Sequence, residues 1–206
     1  MAITTYAELQ TAIGNFLARS DLTDRIPEFI SLAEARMSRE LNSRSQEKRV
    51  TAATISSDEF ISLPTDLRKI RLVKLNTNPI VVLDYAAPTD FYTTYPSSGG
   101  GRPKYYTVIG SEIALRPIPD SVYTVELIYG EDIAALSSSN TTNTILTRHP
   151  DSYLYGSLSA AYIYLMDEAR ASQYDTLFSR AIVEINNSND RAYYSGTLSM
   201  KSDYSG

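Results

Sequence analysis

The chain has 206 residues, 43% of them hydrophobic, and a formal net charge of −5, which is the composition of a folded domain rather than a disordered segment. It contains no cysteine and a single histidine, which excludes disulfides, thiol catalysis and multi-histidine metal sites within one chain. A protein that binds nucleic acid over its whole surface would normally carry a positive charge instead.

The first quarter of the chain predicts two amphipathic helices that form an antiparallel pair. Thr5 and Glu8 have the spacing of a capping box at the start of the first helix. Pro27 fits the first turn of the second helix, where its missing N–H group would have no partner. The predicted apolar stripes are Leu9, Ala12, Ile13, Phe16 and Leu17, and then Phe29, Ile30, Ala33, Met37 and Leu41. The solvent side of the second helix is expected to carry Glu34, Arg36, Arg39 and Glu40.

The middle of the chain has the composition of strands. Residues 49–129 are rich in β-branched and aromatic side chains and are interrupted by proline and glycine. The predicted strands are Val50–Ile55, Phe60–Leu63, Ile70–Leu75, Ile80–Leu83, Lys104–Ile109, Glu112–Pro117 and Tyr123–Tyr129, with one helical turn at Pro88–Tyr92. Because short turns such as Gly110-Ser111 join several of these strands, the sequence predicts an antiparallel meander. Polar loops are predicted at 97–103 and 137–143.

The last third of the chain returns to helical spacing. Pro150 and Asp151 begin a third helix, and residues 167–170 are predicted to form a break or weak turn before a fourth. The apolar stripes are Leu154, Leu158, Ala161 and Leu165, and then Tyr174, Leu177, Phe178, Ala181, Ile182 and Ile185. After Asn189 the chain becomes small and polar, which predicts a C-terminal tail.

Together these elements predict an α+β fold. Four amphipathic helices can bury their stripes only against one another, so the two ends of the chain are expected to meet in an antiparallel helical bundle. The predicted domains are a bundle of residues 1–48 and 146–192, an inserted antiparallel β lobe of residues 49–145, and a flexible tail of residues 193–206.

No pattern in the sequence predicts a catalytic or cofactor site. The glycines at 99–101 precede a proline and a strand rather than the helix of a phosphate-binding loop, which favours an ordinary hairpin loop. His149 stands at a predicted helix start, where capping or packing is the simpler role. The neighbouring carboxylates Asp58-Glu59 and Asp167-Glu168 are expected to face water on turns. We therefore expect a protein that is not an enzyme and that holds no cofactor or metal.

Two segments, residues 36–49 and 66–76, are locally basic within an acidic chain. A solvated helix face and a strand edge would account for them, and so would a surface that faces a phosphate backbone or an acidic partner. In an oligomeric ring, a small local excess of charge is multiplied by the number of copies. The candidate lumen or charged-interface residues are Arg36, Arg39, Arg44, Lys48, Arg49, Arg68, Lys69, Arg71 and Lys74.

Several phrases of the sequence resemble those of the head–tail adaptor, or connector, proteins of tailed bacteriophages. The matching phrases are Ile26–Met37, Leu63–Asp66, Gly101–Thr107, Leu146–Gly156 and Arg191–Gly196. They occur in the order found in that family and span nearly the whole chain. The resemblance implies a structural protein of the virion neck, and it carries over no catalytic residue.

The resemblance also implies how such a protein assembles. It would form a twelvefold ring beneath the portal, join the head to the tail, and continue the channel through which double-stranded DNA passes without being read in sequence. One end would bind the portal protein and the other a tail or nozzle protein. We expect the C-terminal tail to dock on the portal and to order there, although ordinary packing would equally account for its first two tyrosines. The candidate docking residues are Tyr193, Tyr194, Met200, Lys201 and Tyr204.

The same features bear on where the protein is found. The N-terminal residues lack the basic and long apolar regions of a secretory signal, and no apolar run approaches the ~20 residues of a membrane helix. We therefore expect synthesis in the cytoplasm of a host bacterium, no membrane partner, and a final location in the virion neck.

Two other classes of function are compatible with the sequence. The chain has 16 tyrosines against 5 phenylalanines, which suits either half-buried strands or a binding surface. A ligand- or carbohydrate-binding module of another virion component would be a monomer with a tyrosine-lined groove in the β lobe. A small enzyme that uses a carboxylate pair would have a deep pocket there.

Overall fold

The computed structural model describes residues 2–41, 46–94 and 99–193, with side chains up to residue 188. The described residues divide into two compact units, one formed by the two ends of the chain up to residue 45 and from residue 133, and the other by residues 46–132. We call them the helical unit and the β unit. The fold is of mixed α+β class, as the sequence predicts.

The helices and strands follow the predicted order. The helices are α1 (Tyr6–Leu17), α2 (Ile26–Glu40), α3 (Pro88–Thr94), α4 (Thr144–Arg148), α5 (Pro150–Tyr164) and α6 (Glu168–Tyr193), with a 3-10 turn at Thr23–Arg25. The strands are β1 (Glu47–Ala53), β2 (Phe60–Ser62), β3 (Leu67–Leu75), β4 (Val81–Val82), β5 (Asp84–Tyr85), β6 (Gly100–Gly101), β7 (Tyr105–Ile109), β8 (Glu112–Arg116), β9 (Ile118–Pro119) and β10 (Thr124–Glu131). All strands and α3 belong to the β unit, and the other helices belong to the helical unit.

The capping signals at the N-terminal helices are confirmed. The backbone N–H of Glu8 donates to the Thr5 hydroxyl (3.3 Å), and the Glu8 carboxylate accepts the N–H of Thr5 (3.0 Å). These bonds satisfy donors that would otherwise have no partner at the start of α1. Pro27 lies in the first turn of α2, as predicted.

Two side chains of these helices differ from the prediction. Phe16 was assigned to the apolar stripe of α1, but it is 53% exposed. The buried line runs through Leu9, Ile13 and Leu17 at four-residue spacing, and Phe16 lies beside it. Glu34 was expected on the solvent side of α2, but it is half-buried and accepts hydrogen bonds from the helical unit.

The core of the helical unit is apolar and closely packed. Side chains of α1, α2, α5 and α6 share one cluster of buried residues. The helices approach closely at Gly156 of α5, where an added Cβ would lie 2.9 Å from the Ala33 Cβ and from the ring of Phe178. Only glycine fits at this position without a shift of α2 or α6.

The junctions near the C-terminal helices are more structured than predicted. Residues 144–148 form α4, whose start is capped by Asn143 through a bond from the Leu146 N–H (2.8 Å). Ile133 and Leu136 were assigned to the β lobe, but they pack in the core of the helical unit. The predicted break before the fourth helix comes slightly earlier, at Met166, which has a left-handed backbone conformation (φ 57°). The helix α6 then continues to Tyr193.

The predicted antiparallel meander is wrong. The larger sheet has the strand order β1-β10-β3-β4, so the last strand of the unit lies between two early ones. This order buries Val125, Leu127 and Tyr129 of β10 at the centre of the unit. The second sheet has the order β2-β8-β7-β5. The predicted hairpins β3–β4 and β7–β8 are present, the second with Gly110 in its turn at a φ of 61°.

Two local features of the β unit also depart from the sequence pattern. Strict alternation along β3 would place the Ile70 side chain on one face of the sheet and those of Val73 and Leu75 on the other. All three instead contribute to the same apolar cluster. A β-bulge at Arg71 causes this, because Leu72 and Ile70 pair with consecutive residues of β10. In the predicted flexible loop, Gly100 and Gly101 form β6, which pairs with β9.

Candidate interaction surfaces

The candidate basic residues of the β unit are largely engaged by acidic side chains of the same unit. Lys48 donates to Asp66 (2.6 Å) and lies 3.1 Å from Glu131. The hydrogen bond to Asp66 raises the pKa of Lys48, and the same bond lowers the pKa of Asp66. Tyr129 also donates to Asp66 (2.8 Å), and burial together with this bond raises its pKa to about 12. The positive charge of Lys48 is therefore neutralised by acidic side chains of the same unit.

Two further basic candidates of the β unit lie beside a buried carboxylate. Glu126 of β10 is only 5% exposed. It accepts a bond from the Asn76 amide (3.0 Å) and lies 3.1 Å from Lys74 and 3.9 Å from Arg49. The bonds from Asn76 and Lys74 lower the pKa of Glu126. On the same sheet, Arg71 lies 3.5 Å from Glu47.

The remaining basic candidates differ in their surroundings. Arg36 donates to Asp175 (2.5 Å), and its guanidinium lies over the ring of Phe178 (4.4 Å). Arg68 is half-buried, and its Nη1 has no hydrogen-bond partner among the described residues. Arg39 and Lys69 are exposed and form no ion pair within the described part of the chain. Arg44 lies outside the described residues.

Of the candidate portal-docking residues, only the backbone of Tyr193 is described, as the last residue of α6. The other candidates, Tyr194, Met200, Lys201 and Tyr204, lie outside the described residues.

The residues that the sequence analysis considered for a catalytic role take part in local backbone contacts. His149 lies at the junction of α4 and α5, and its side chain makes no capping bond. Its carbonyl accepts the Ser152 hydroxyl (2.7 Å). Asp58 accepts the N–H of Phe60 (3.0 Å), and Asp167 accepts the N–H of Arg170 (3.1 Å) at the start of α6. Among the described residues, no group of three or more histidine, aspartate or glutamate side chains is arranged to hold a metal ion.

One buried charge pair was missed by the sequence analysis. Arg116 of β8 is 4% exposed and donates to Glu59, which immediately precedes β2. Its guanidinium lies 5.3 Å from the ring centre of Phe91 and 5.4 Å from that of Tyr92, both on α3. Arg116 therefore contacts both the residue before β2 and the aromatic side chains of α3. Arg116 and Glu59 are far apart in sequence, so no local pattern predicts that they pair.

A second network lies in the helical unit. Glu34 accepts the N–H of Leu136 (2.7 Å) and the Tyr153 hydroxyl (3.1 Å), and the Asn143 amide donates to the same hydroxyl (2.6 Å). Burial raises the pKa of Glu34, and burial also raises the pKa of Tyr153. The network ties the segment before α4 to α2 and α5.

Three cavities among the described residues bear on the alternative functions. One, of about 710 Å³, is an open groove along α1 lined mostly by small and polar residues such as Thr11, Gly14 and Asn15. A second, of about 280 Å³, lies between α2 and α5 and is lined by Leu32, Arg39 and other side chains. A third cavity, in the β unit, measures about 60 Å³. None of the three is lined by tyrosine.

Three tyrosines form a cluster on the helices α5 and α6. The rings of Tyr162 and Tyr174 are stacked at 5.4 Å, Tyr155 lies 6.3 Å from Tyr174, and the Arg170 guanidinium lies 5.5 Å from Tyr162. Tyr162 is buried, so this cluster packs the helical hairpin. No helix in the described ranges combines the length and the apolar character needed to cross a bilayer.

Comparison with known families identifies the chain. A search of curated proteins finds no match. The model of the SU10 adaptor protein family matches residues 4–201, which is nearly the whole chain. This match agrees with the phrases that resemble head–tail adaptors. The chain belongs to the SU10 adaptor protein family, a family of bacteriophage head–tail adaptors with a structural role in the phage particle.

Proposed function

We propose that this protein forms a ring beneath the portal of a tailed bacteriophage, where it joins the head to the tail and continues the DNA channel. The observation that carries the proposal is the family match over residues 4–201. The proposed ring has twelvefold symmetry, binds the portal at one end and a tail or nozzle protein at the other, and is made in the host cytoplasm. It is a structural component and not an enzyme.

The two units have separate roles in this proposal. The four long helices act as an antiparallel bundle that gives each subunit a rigid body, which their shared apolar core supports. The β unit is an insertion between them. The C-terminal residues from Tyr193 onward dock on the portal, with Tyr193, Tyr194, Met200, Lys201 and Tyr204 as contacts.

Passage of DNA requires only a diffuse positive potential along the channel. Several basic candidates form close ion pairs within their own unit, which leaves Arg39, Lys69 and the 71% exposed Arg49 as the charges best able to face a phosphate backbone. The proposal therefore assigns the lumen to the surfaces that carry these residues.

The first test is the mass of the purified protein, measured alone and with the portal protein of the same genome. We expect a ring, either alone or on the portal, that electron microscopy resolves with one subunit per symmetry position. A variant that ends at residue 193 should keep its helical content and lose portal binding. A full-length chain that stays monomeric and does not bind the portal would overturn the proposal.

A further inference from the structure

One side of the β unit is open, because edge strands of its two sheets border a single cavity there. Strand β1 is an outer strand of the larger sheet, and β2 is an outer strand of the second sheet. We propose that an extended segment of the tail or nozzle protein adds to the edge of β1 and places a side chain in this cavity. The inference rests on the proposed function, which gives the portal to the C-terminal residues and leaves the tail or nozzle protein without an assigned surface.

The first observation is a row of unpaired backbone groups on β1. The Thr54 N–H donates to the Tyr123 carbonyl (2.9 Å), and the Gln46 carbonyl accepts the Glu131 N–H (3.0 Å), so the even-numbered residues face β10. The N–H and C=O groups of the odd-numbered residues point outward, and no backbone hydrogen bond among the described residues satisfies them. The residues concerned are Glu47, Arg49, Thr51 and Ala53, all of them exposed. Such a row is a template for another strand.

The second observation is that the apolar interior reaches the surface beside β1. Val50 lies opposite Leu127 of the apolar cluster, on the same face of the sheet, yet its side chain is 37% exposed. The cavity of about 60 Å³ lies at this point. It is bordered by Val50 and Ala52 of β1, by Ile61 of β2 and by Leu63 just after β2. A strand added to β1 would cover it, because alternate side chains of that strand would point to the same face as Val50.

Of the two edges, β1 is the better template. The Leu63 N–H donates to the Ser111 carbonyl (2.8 Å), so Phe60 of β2 faces away from β8, but its N–H already donates to the Asp58 carboxylate (3.0 Å). Strand β2 also has only three residues, against seven in β1. Strand β1, which is described throughout, contains no proline and no bulge that would protect its edge from another strand.

The charges of β1 define the chemistry of the added strand. Arg49 is 71% exposed and lies 3.9 Å from Glu126, whose carboxylate is already bonded to Asn76 and Lys74. Arg49 can therefore take a second carboxylate, from the residue directly opposite it on the added strand. Residues 50–53 of β1 carry no charge. We therefore expect the partner segment to combine one acidic residue with neutral residues, of which an apolar one faces the cavity.

An open edge beside a cavity is an arrangement by which domains bind extended segments of other proteins. The backbone hydrogen bonds of the added strand supply affinity, and the cavity selects the side chain that faces it. A strand received in this way occupies one subunit without involving a second copy, so it suits a contact between the ring and the next component of the neck. Engagement of Arg49 would leave Arg39 and Lys69 as the exposed charges available to the DNA.

Hydrogen exchange of the backbone amides tests the contact, because the expected protection alternates along β1. In the free protein the outward amides should exchange rapidly, while β10 protects the amides between them. The protein bound to the portal is compared before and after addition of the tail or nozzle protein of the same genome. We expect exchange of the outward amides to slow by at least about tenfold only after that addition. These are the amides of Glu47, Arg49, Thr51 and Ala53.

The other possible occupants give different exchange patterns. Protection that appears when the ring forms, before the tail or nozzle protein is added, would assign the edge to a second copy. Protection already present in the free protein would assign it to another part of the same chain. Either result overturns the proposal. The measurement uses the wild-type protein, so it does not depend on the folding of a variant.

Two variants of Thr51 separate the backbone bond from the side chain. Thr51→Pro removes an outward N–H and leaves the bonds to β10, since proline is tolerated where the N–H of an edge strand faces solvent. It should weaken binding of the tail or nozzle protein to the ring by about tenfold. Thr51→Val keeps the N–H and should bind as the wild type does. Both variants should still bind the portal.

A charge reversal tests the expected carboxylate of the partner. Arg49→Glu should weaken the same binding by about tenfold. Lys69→Glu makes the same change of charge on β3 and should have little effect. If the ring forms on the portal but the outward amides stay unprotected, or Thr51→Pro and Arg49→Glu bind the partner as the wild type does, the strand addition is wrong while the proposed ring stands. If the wild-type protein is monomeric with and without the portal, the proposed function fails and the contact fails with it.

Discussion

The two units of this adaptor are stabilised by different kinds of interaction. The helical unit buries a large apolar cluster, in which Gly156 lies in close contact with Ala33 and Phe178. The β unit has a smaller apolar cluster and relies also on charges, above all the buried pair of Arg116 and Glu59. The comparison shows that volume is the sensitive property of one unit and charge pairing that of the other.

The largest expected effect comes from breaking the charge pair of the β unit. Arg116→Met should reduce the free energy of unfolding by about 3 kcal/mol, because it leaves the Glu59 carboxylate largely buried without its partner. Urea denaturation would measure the loss, and hydrogen exchange would locate it in the β unit.

The matched control for this change is the double variant Arg116→Met/Glu59→Met. Replacing both charges with apolar side chains removes the unpaired carboxylate, so most of the stability should return. Equal destabilisation of the single and double variants would show that the packing of Arg116 on Phe91 matters and the charge pair does not.

A smaller effect is expected from crowding the helical unit. Gly156→Ala places a methyl group 2.9 Å from Ala33 and Phe178, so it should reduce the free energy of unfolding by about 1–3 kcal/mol. Gly14→Ala is the control, because its nearest neighbour is Ile26 at 3.7 Å. That change should leave stability unchanged or raise it by up to about 1 kcal/mol through helix propensity. Thermal unfolding of both variants measures the difference. An equal loss of stability in both would contradict the close packing around Gly156.

The smallest effect concerns Glu34, a carboxylate that the helical unit holds in a half-buried position. Burial raises the pKa of Glu34 above its ordinary value of 4.5, so the folded state binds this proton more tightly than the unfolded state. The stabilising contribution is full below about pH 4.5 and is lost as the pH rises through the folded-state pKa. Glu34→Gln should remove this dependence while its amide oxygen still accepts both hydrogen bonds.

The measurement is the difference in unfolding free energy between the wild type and Glu34→Gln at pH 4 and pH 7, values on the two sides of the ordinary pKa of 4.5. We expect the wild type to lose less than about 1 kcal/mol relative to the variant on going to the higher pH, since solvent screens a half-exposed group. A difference that does not change with pH, or that changes in the opposite direction, would contradict the assigned burial effect.

The candidate site was predictable only as a set of residue types. The basic segments are evident in the sequence. The structure places most basic residues of the β unit next to acidic residues from distant parts of the chain, such as Lys48 beside Asp66 and Lys74 beside Glu126. A run of like charge in sequence does not report the net charge of a surface, because strands from elsewhere contribute the partners. The position of β1 as an outer strand of the larger sheet was likewise not evident, because no local pattern shows that β10 is its neighbour.

The sequence by itself determined the elements whose causes are local. Helix capping at Thr5, the helical stripe of α2, the turn at Gly110 and the α+β class all follow from interactions between residues close along the chain. Tertiary structure alone decided the position of β10 between β1 and β3, the bulge at Arg71 and the pairing of Arg116 with Glu59. These arise from contacts between segments far apart in sequence, where many pairings satisfy the same local pattern and the packing of the whole core selects one.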